Sequence, residues 1–330
     1  MKKFIIFLLV LAVLIGTLAF FVYMDGDEAD TATTEKTDVK VAVLNGTTGF
    51  GMAQLMEQNA NKKAANNYTF TVETVGSDII AQLVNGSVDI AALPTNAAAA
   101  VYNRTQGGVK VIAINTLGVL YAVENGNTIT SIQDLEGKTI YCPAQNPQYI
   151  LEYLLAKNNI NATINTEYEA PADLRTALVA NQLGENAIAI LPEPMVTMAL
   201  NGNSSLRVAL DLTAEWNAVE DTQLVQGCVV VRNEFYEKNK KAVSKFLDEY
   251  KTSIECMQTN VDEAAKLVVK YGIFANEAVA KAAIPKCNVT YLAGADMKNA
   301  MEGFLTAMKE VAPASIGNKL PGDDFYLVTK

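Results

Sequence analysis

"IAALPTNAAAA", residues 90–100, is a short apolar run that stops on Leu93-Pro94 and passes through two polar residues into an alanine-rich helix former. "IAILPEPMVTM", residues 188–198, repeats it. The match extends upstream: "DIIAQLVNGSVDIAALPTN" from Asp78 aligns with "DLRTALVANQLGENAIAILPEP" from Asp173, with a three-residue insertion before the second strand. Each copy predicts an aspartate-capped helix, a turn, a buried strand, a proline at the strand's carboxyl end and a second helix start. Proline ends a sheet ladder because it has no N–H to donate. In open α/β sheets, ligands bind outside the carboxyl ends of strands, where helix N-termini present unpaired N–H groups. Two such rims, one in each half of the chain, predict two lobes that share a crevice.

The flanking sequence fits that plan. "VKVAVLNG" from Val39 reads as a strand, "FGMAQLMEQNANKKA" as a helix and "YTFTVETV" as the next strand. Further strands are expected at 109–114, 120–123, 139–142, 207–210 and 227–231, and alternation of this kind predicts a parallel sheet covered on both faces. After Arg232 the pattern turns helical, with Val243, Phe246, Leu247, Tyr250 and Ile254 on one stripe and further helices near 261–271, 275–283 and 295–311. This tail is expected to add helices, and no strand, to a finished sheet.

The ends and the charge bound the setting. Met1-Lys2-Lys3 precedes an uncharged run from Phe4 to Tyr23, long enough as a helix to cross ~30 Å of hydrocarbon. Lysines before the run and acids after it place the remaining chain outside the cell. Residues 1–24 are thus expected to be a signal sequence or an uncleaved transmembrane anchor. Residues 25–38, with six acids and one lysine, are expected to be a tether. The chain then sits on the extracytoplasmic face of the membrane, anchored or secreted. A net charge of −10 argues against a nucleic-acid partner. The four cysteines show no metal-type spacing, and they allow either disulfides or free buried thiols. No metal or cofactor site is expected.

Candidate ligand contacts are the polar residues that follow strands. They are Asn45, Thr47 and Thr48 after the first strand, Thr95 and Asn96 after the first rim, and Asn115 before the crossing between lobes. Gln145, Asn146, Gln148 and Tyr149 stand at the next helix start, and Glu193 lies on the second rim. Tyr121, Tyr141, Tyr149 and Trp216 are candidates to stack on a planar ligand. The order Gly46-x-x-Gly49-x-Gly51 differs from the dinucleotide fingerprint. These loops hold one carboxylate and no Lys or Arg, so a neutral or cationic, heteroaromatic ligand suits them better than an anion clamped by arginine. The chain contains no histidine, which removes every Ser-His and Cys-His couple. The remaining enzymatic reading makes Cys142 a nucleophile beside Glu193.

"VKVAVLNGTTGFGMAQLME", "GSVDIAALPTNAAAAVYN", "KTIYCPAQNPQYILEYLLAKNNI", "IAILPEPMVTMAL" and "KKAVSKFLDEYKTSIE" together resemble the substrate-binding proteins of ABC importers, in the branch of nitrate, sulfonate or taurine, and thiamine-precursor binders. The resemblance implies an α/β, two-lobed periplasmic-binding-protein-like fold of type 2. It places lobe one at 39–120 plus 226–330 and lobe two at 121–225. It also implies a monomer that passes a small molecule to an ABC permease without altering it. The related fungal pyrimidine synthases rely on an active-site histidine, which this chain lacks. A membrane-anchored sensing or adhesive ectodomain is the alternative on the same fold.

Overall fold

Two β-sheets organise residues 36–328, the part of the chain that the computed structural model describes. The expected membrane segment at 1–24, and all but the last three residues of the tether at 25–38, lie outside the described residues. Among the described residues no helix is long and apolar enough to cross a membrane.

The first sheet begins with β1 (Asp38–Leu44), followed by α1 (Thr47–Phe50), α2 (Ala53–Ala60) and β2 (Asn67–Glu73). It continues through α3 (Gly76–Asn85), β3 (Ile90–Pro94), α4 (Thr95–Thr105) and β4 (Val109–Leu117). The chain then crosses into the second sheet, built from β5 (Leu120–Asn125), β6 (Thr139–Tyr141), α5 (Asn146–Lys157), β7 (Thr163–Asn165), α6 (Pro171–Val179), β8 (Ile188–Pro192), α7 (Met195–Gly202), β9 (Leu206–Asp211) and α8 (Leu212–Val219). It returns as β10 (Val225–Arg232). The tail comprises α9 (Asn233–Lys238), α10 (Lys240–Thr259), α11 (Val261–Lys270), α12 (Glu277–Ala283), β11 (Val289–Leu292) and α13 (Gly294–Val311). Strand order is β11-β4-β10-β3-β1-β2 in the first sheet and β7-β6-β8-β5-β9 in the second.

The two Leu-Pro strands are buried on both faces, which is why they read as continuous apolar runs. In β3, Ile90 and Ala92 face a core completed by α10 and α11, while Ala91 and Leu93 face a second core. In β8, Ile188 and Ile190 join that second core, and Ala189 and Leu191 pack with Leu174, Leu178 and Val196 from α6 and α7. The second core runs from one sheet to the other, since it contains Ala42 and Leu93 as well as Ile140 and Ile190. Trp216 lies within it, fully buried, between Tyr153 of α5 (5.1 Å between ring centroids) and Phe304 of α13 (5.9 Å).

Several expectations need correction. The sheets are mixed, not parallel: β10 runs antiparallel to β3 and β4, and β5 antiparallel to β8 and β9. The cause is connectivity. Both strands carry the chain in from the other sheet, so each starts where its neighbours end. The tail also supplies a strand, β11, at the edge of the first sheet beside β4. Its four residues were too short to stand out against the surrounding helices. Asp78 and Asp173 are not caps but lie in the first turns of α3 and α6, which start two residues earlier; there they oppose the positive end of the helix dipole. All four cysteines are free, and all but Cys256 are buried.

The Tyr153/Trp216/Phe304 stack makes removal of the Trp216 side chain costly. Trp216→Ala should destabilise the protein by about 3–5 kcal/mol, measured by urea unfolding followed by far-UV circular dichroism, because the variant has no tryptophan left to report.

Candidate functional site

The carboxyl ends of β1, β3 and β4 face the carboxyl end of β8 across a cleft of about 860 Å³, and both rim prolines, Pro94 and Pro192, line it. The register explains why. Pro94 pairs with Gly227 at the start of β10, and Pro192 pairs with Leu120 at the start of β5. Each proline therefore sits where a crossing strand enters its sheet. The two crossings are tied together by the Val119 N–H, which donates to Gln226 Oε1, and the first crossing is tied to the tail by Asn288 Nδ2, which donates to the Gly118 carbonyl.

Asn45, Thr47 and Thr48 line the cleft because α1 folds straight back over the end of β1. That turn requires glycine at position 49. A Cβ there would lie 2.2 Å from the Leu44 carbonyl oxygen and 2.7 Å from Val43 Cγ1. Asn115 is buried beneath the loop and holds it by donating from Nδ2 to the Thr48 carbonyl at 2.9 Å. Thr47 Oγ1 donates to the Glu193 carbonyl at 2.8 Å, a direct bond between the loops of the two sheets.

Glu193 and Asn146 line the cleft from the second sheet's side. The other candidates lie outside the lining. Thr95 and Asn96 are buried in the first turn of α4, because Pro94 itself occupies the rim and the helix begins at once. Asn115 misses the lining by strand alternation: its neighbour Thr116 faces the cleft. Gln145 is exposed in a turn with φ 68°, Gln148 donates to Glu152 one turn along α5, and Tyr149 packs half-buried against the second core. Only the first two residues of α5 reach the cleft.

None of the proposed stacking rings lines the cleft either. Trp216 is core, with Nε1 donating to the Thr222 carbonyl at 2.6 Å. Tyr141 packs on Tyr168. The aromatic ring in the lining is Phe274, edge-on to Phe50 at 6.0 Å. It belongs to the link between α11 and α12, where Gly272 adopts φ 70° and Asn276 caps α12 by accepting from the Val279 N–H. The signal was present in the sequence. Ile273 and Phe274 are large apolar residues placed between a helix-stopping glycine and a capping asparagine, a loop that needs cover. Met195 and Met198 of α7 are further lining residues that the sequence did not single out. Cys142 is buried outside the lining, and burial pushes its thiol far above its ordinary range, the opposite of an activated nucleophile.

Glu193 is 2% exposed. Its carboxylate accepts from the Thr197 N–H at 3.1 Å and from Thr197 Oγ1 at 3.0 Å. Desolvation raises its pKa; the two Thr197 bonds and the charge of Lys286 pull the other way and do not offset it. The Glu193 charge in turn acts on Tyr121 and Cys287, which burial has already shifted upward. A carboxyl raised in the folded state contributes stability while protonated and loses that contribution as pH rises through its folded pKa. Glu193→Gln should therefore raise the melting temperature of the ligand-free protein near neutral pH. The advantage should shrink as pH falls through the carboxylate range, a trend that a thermal-shift series across pH measures directly.

The fold recurs among solved structures. An ABC transporter protein from Parabacteroides distasonis is 25% identical with a TM-score of 0.74, over 89% of this chain and 100% of that one. A ligand-binding component of an ABC-type import system from Staphylococcus aureus is 14% identical with a TM-score of 0.68, over 89% and 97%. The periplasmic aliphatic sulphonate binding protein SsuA of Escherichia coli is 14% identical with a TM-score of 0.67, over 88% and 98%. No curated protein matches the chain. The family described as NMT1/THI5 like matches residues 76–264, more than half of the sequence and a span that holds both Leu-Pro strands and both crossings, so the chain belongs to the NMT1/THI5-like family.

Proposed function

We propose that this chain is the extracytoplasmic solute-binding component of an ABC importer. It holds a small organic molecule between two lobes and hands it unaltered to a membrane permease. One observation carries the reading: both rim prolines, from separate sheets, line a single cleft. Family membership and the solved ABC-transporter relatives support it. In this reading residues 39–120 plus 226–330 form one lobe and 121–225 the other, the chain works as a monomer, and the N-terminal stretch sets it at the membrane's outer face. The absence of histidine and the position of Cys142 away from the cleft favour binding without chemistry.

The ligand works by differential affinity. It meets both lobes at once only when they approach, so it binds the closed form more tightly and shifts the equilibrium toward it. Asn45, Thr47, Thr48 and Asn146 supply neutral polar groups, and Phe274 supplies an apolar face that suits a heteroaromatic ring.

Protein purified from its host should carry a small organic molecule detectable by native mass spectrometry. Its X-ray scattering should show a smaller radius of gyration with that molecule bound than after it is removed. Superimposable profiles would refute the clamp. Thr47→Val removes the hydroxyl that donates to the Glu193 carbonyl. Loss of about 1 kcal/mol from the closed form should weaken affinity for the co-purified molecule roughly fivefold, read by calorimetry.

A further inference from the structure

We propose that the cleft selects a small organic cation, a protonated amine or amidine, with Glu193 as its counter-ion and its apolar body held between Phe274 on one side and Met195 and Met198 on the other. This rests on the solute-binding reading above and narrows the ligand to one chemical class.

The first support is the charge of the lining. Among the described residues that line the cleft, Glu193 is the one ionisable side chain, and Lys and Arg are absent. The second is what Glu193 already does. The first turn of a helix facing a cleft is a ready site for an anion, but at α7 the Thr197 N–H is taken by the Glu193 carboxylate. The chain's own negative charge thus takes an N–H that an anionic ligand at this helix start would need. A sulfonate or nitrate entering here would meet a carboxylate and find no cationic side chain to balance it.

The third support is that the carboxylate is left incomplete. It accepts the two bonds from Thr197, and a carboxylate offers about four acceptor positions. No Lys or Arg nitrogen among the described residues lies within ion-pair distance of it; Lys286 acts on it only through longer-range charge. A nearly buried carboxylate without a counter-ion is costly, and an ammonium or amidinium in the cleft would satisfy both the charge and the spare acceptor positions. The walls complete the argument. Phe274 lies beside the first sheet and Met195 and Met198 beside the second, so an aromatic face and two polarisable thioethers enclose an uncharged body.

The test uses three probes of one shape. Benzylamine, benzyl alcohol and benzenesulfonate share a ring and differ in the charge of the head group. By calorimetry on the full chain, benzylamine should bind most tightly and benzenesulfonate most weakly. Glu193→Gln keeps an acceptor for Thr197 but removes the charge. It should cost benzylamine about tenfold in affinity and benzyl alcohol no more than about twofold, with far-UV circular dichroism confirming the fold. Phe274→Ala should weaken benzylamine and benzyl alcohol alike. Tighter binding of benzenesulfonate than of benzylamine, an unchanged benzylamine affinity in Glu193→Gln, or no saturable benzylamine binding at about 10 mM would each overturn the proposal. If the host-derived molecule proves to be an anion that compacts the protein on binding, the importer reading stands and the cation assignment falls.

Discussion

Everything at the cleft depends on two strands that run against their neighbours. β5 and β10 each carry the chain out of one sheet and into the other, entering beside the terminal proline of a buried strand: Leu120 beside Pro192, Gly227 beside Pro94. Backbone ladders are specified by burial, because a one-residue slip would turn every inward side chain outward. β3 and β8 are buried on both faces, so their register with the crossing strands is held from both sides. The rims are thereby fixed to the same two connections, and the loops that follow them cannot drift away from the cleft. The Val119–Gln226 bond adds a direct tie between the crossings.

The repeat was legible because each copy joins three independent signals, an apolar run of strand length, a proline and a helix start. Those signals lie within one stretch of chain and need no distant partner. Strand direction was not legible, since a residue string looks the same whichever way its neighbour runs. The direction of β10 follows only from where the preceding residues have been. The site divides on the same principle. Asn45, Thr47, Thr48, Asn146 and Glu193 reach the cleft because they directly follow a strand or open a helix. Asn115 and Thr95 are just as polar and just as close in sequence, yet strand alternation hides one and an immediate helix start hides the other. Phe274 comes from more than 150 residues beyond the first rim and reaches the cleft only because the tail folds back beside α1, where the Gly46 N–H donates to the Ile273 carbonyl.

Glu193 combines two roles that are usually separate. Its carbonyl accepts the Thr47 hydroxyl from the facing loop, while its carboxylate caps α7 through Thr197. Backbone and side chain of one residue thus link the loop of the first sheet to a helix of the second. Any change in the ionisation of the carboxyl is felt at the helix start and, through the same residue, at the contact between loops.

The aromatic stack around Trp216 has a mechanical consequence. Tyr153 belongs to a helix of the second sheet and Phe304 to the long C-terminal helix, with the indole clasped between them and its Nε1 bonded to the second crossing at Thr222. Rings this closely packed tolerate tilting far better than separation, which would open a void in a dense interior. Drawing α5 away from α13 would therefore strip packing from both sides of the indole at once, so the two helices are held as one unit at this end of the molecule.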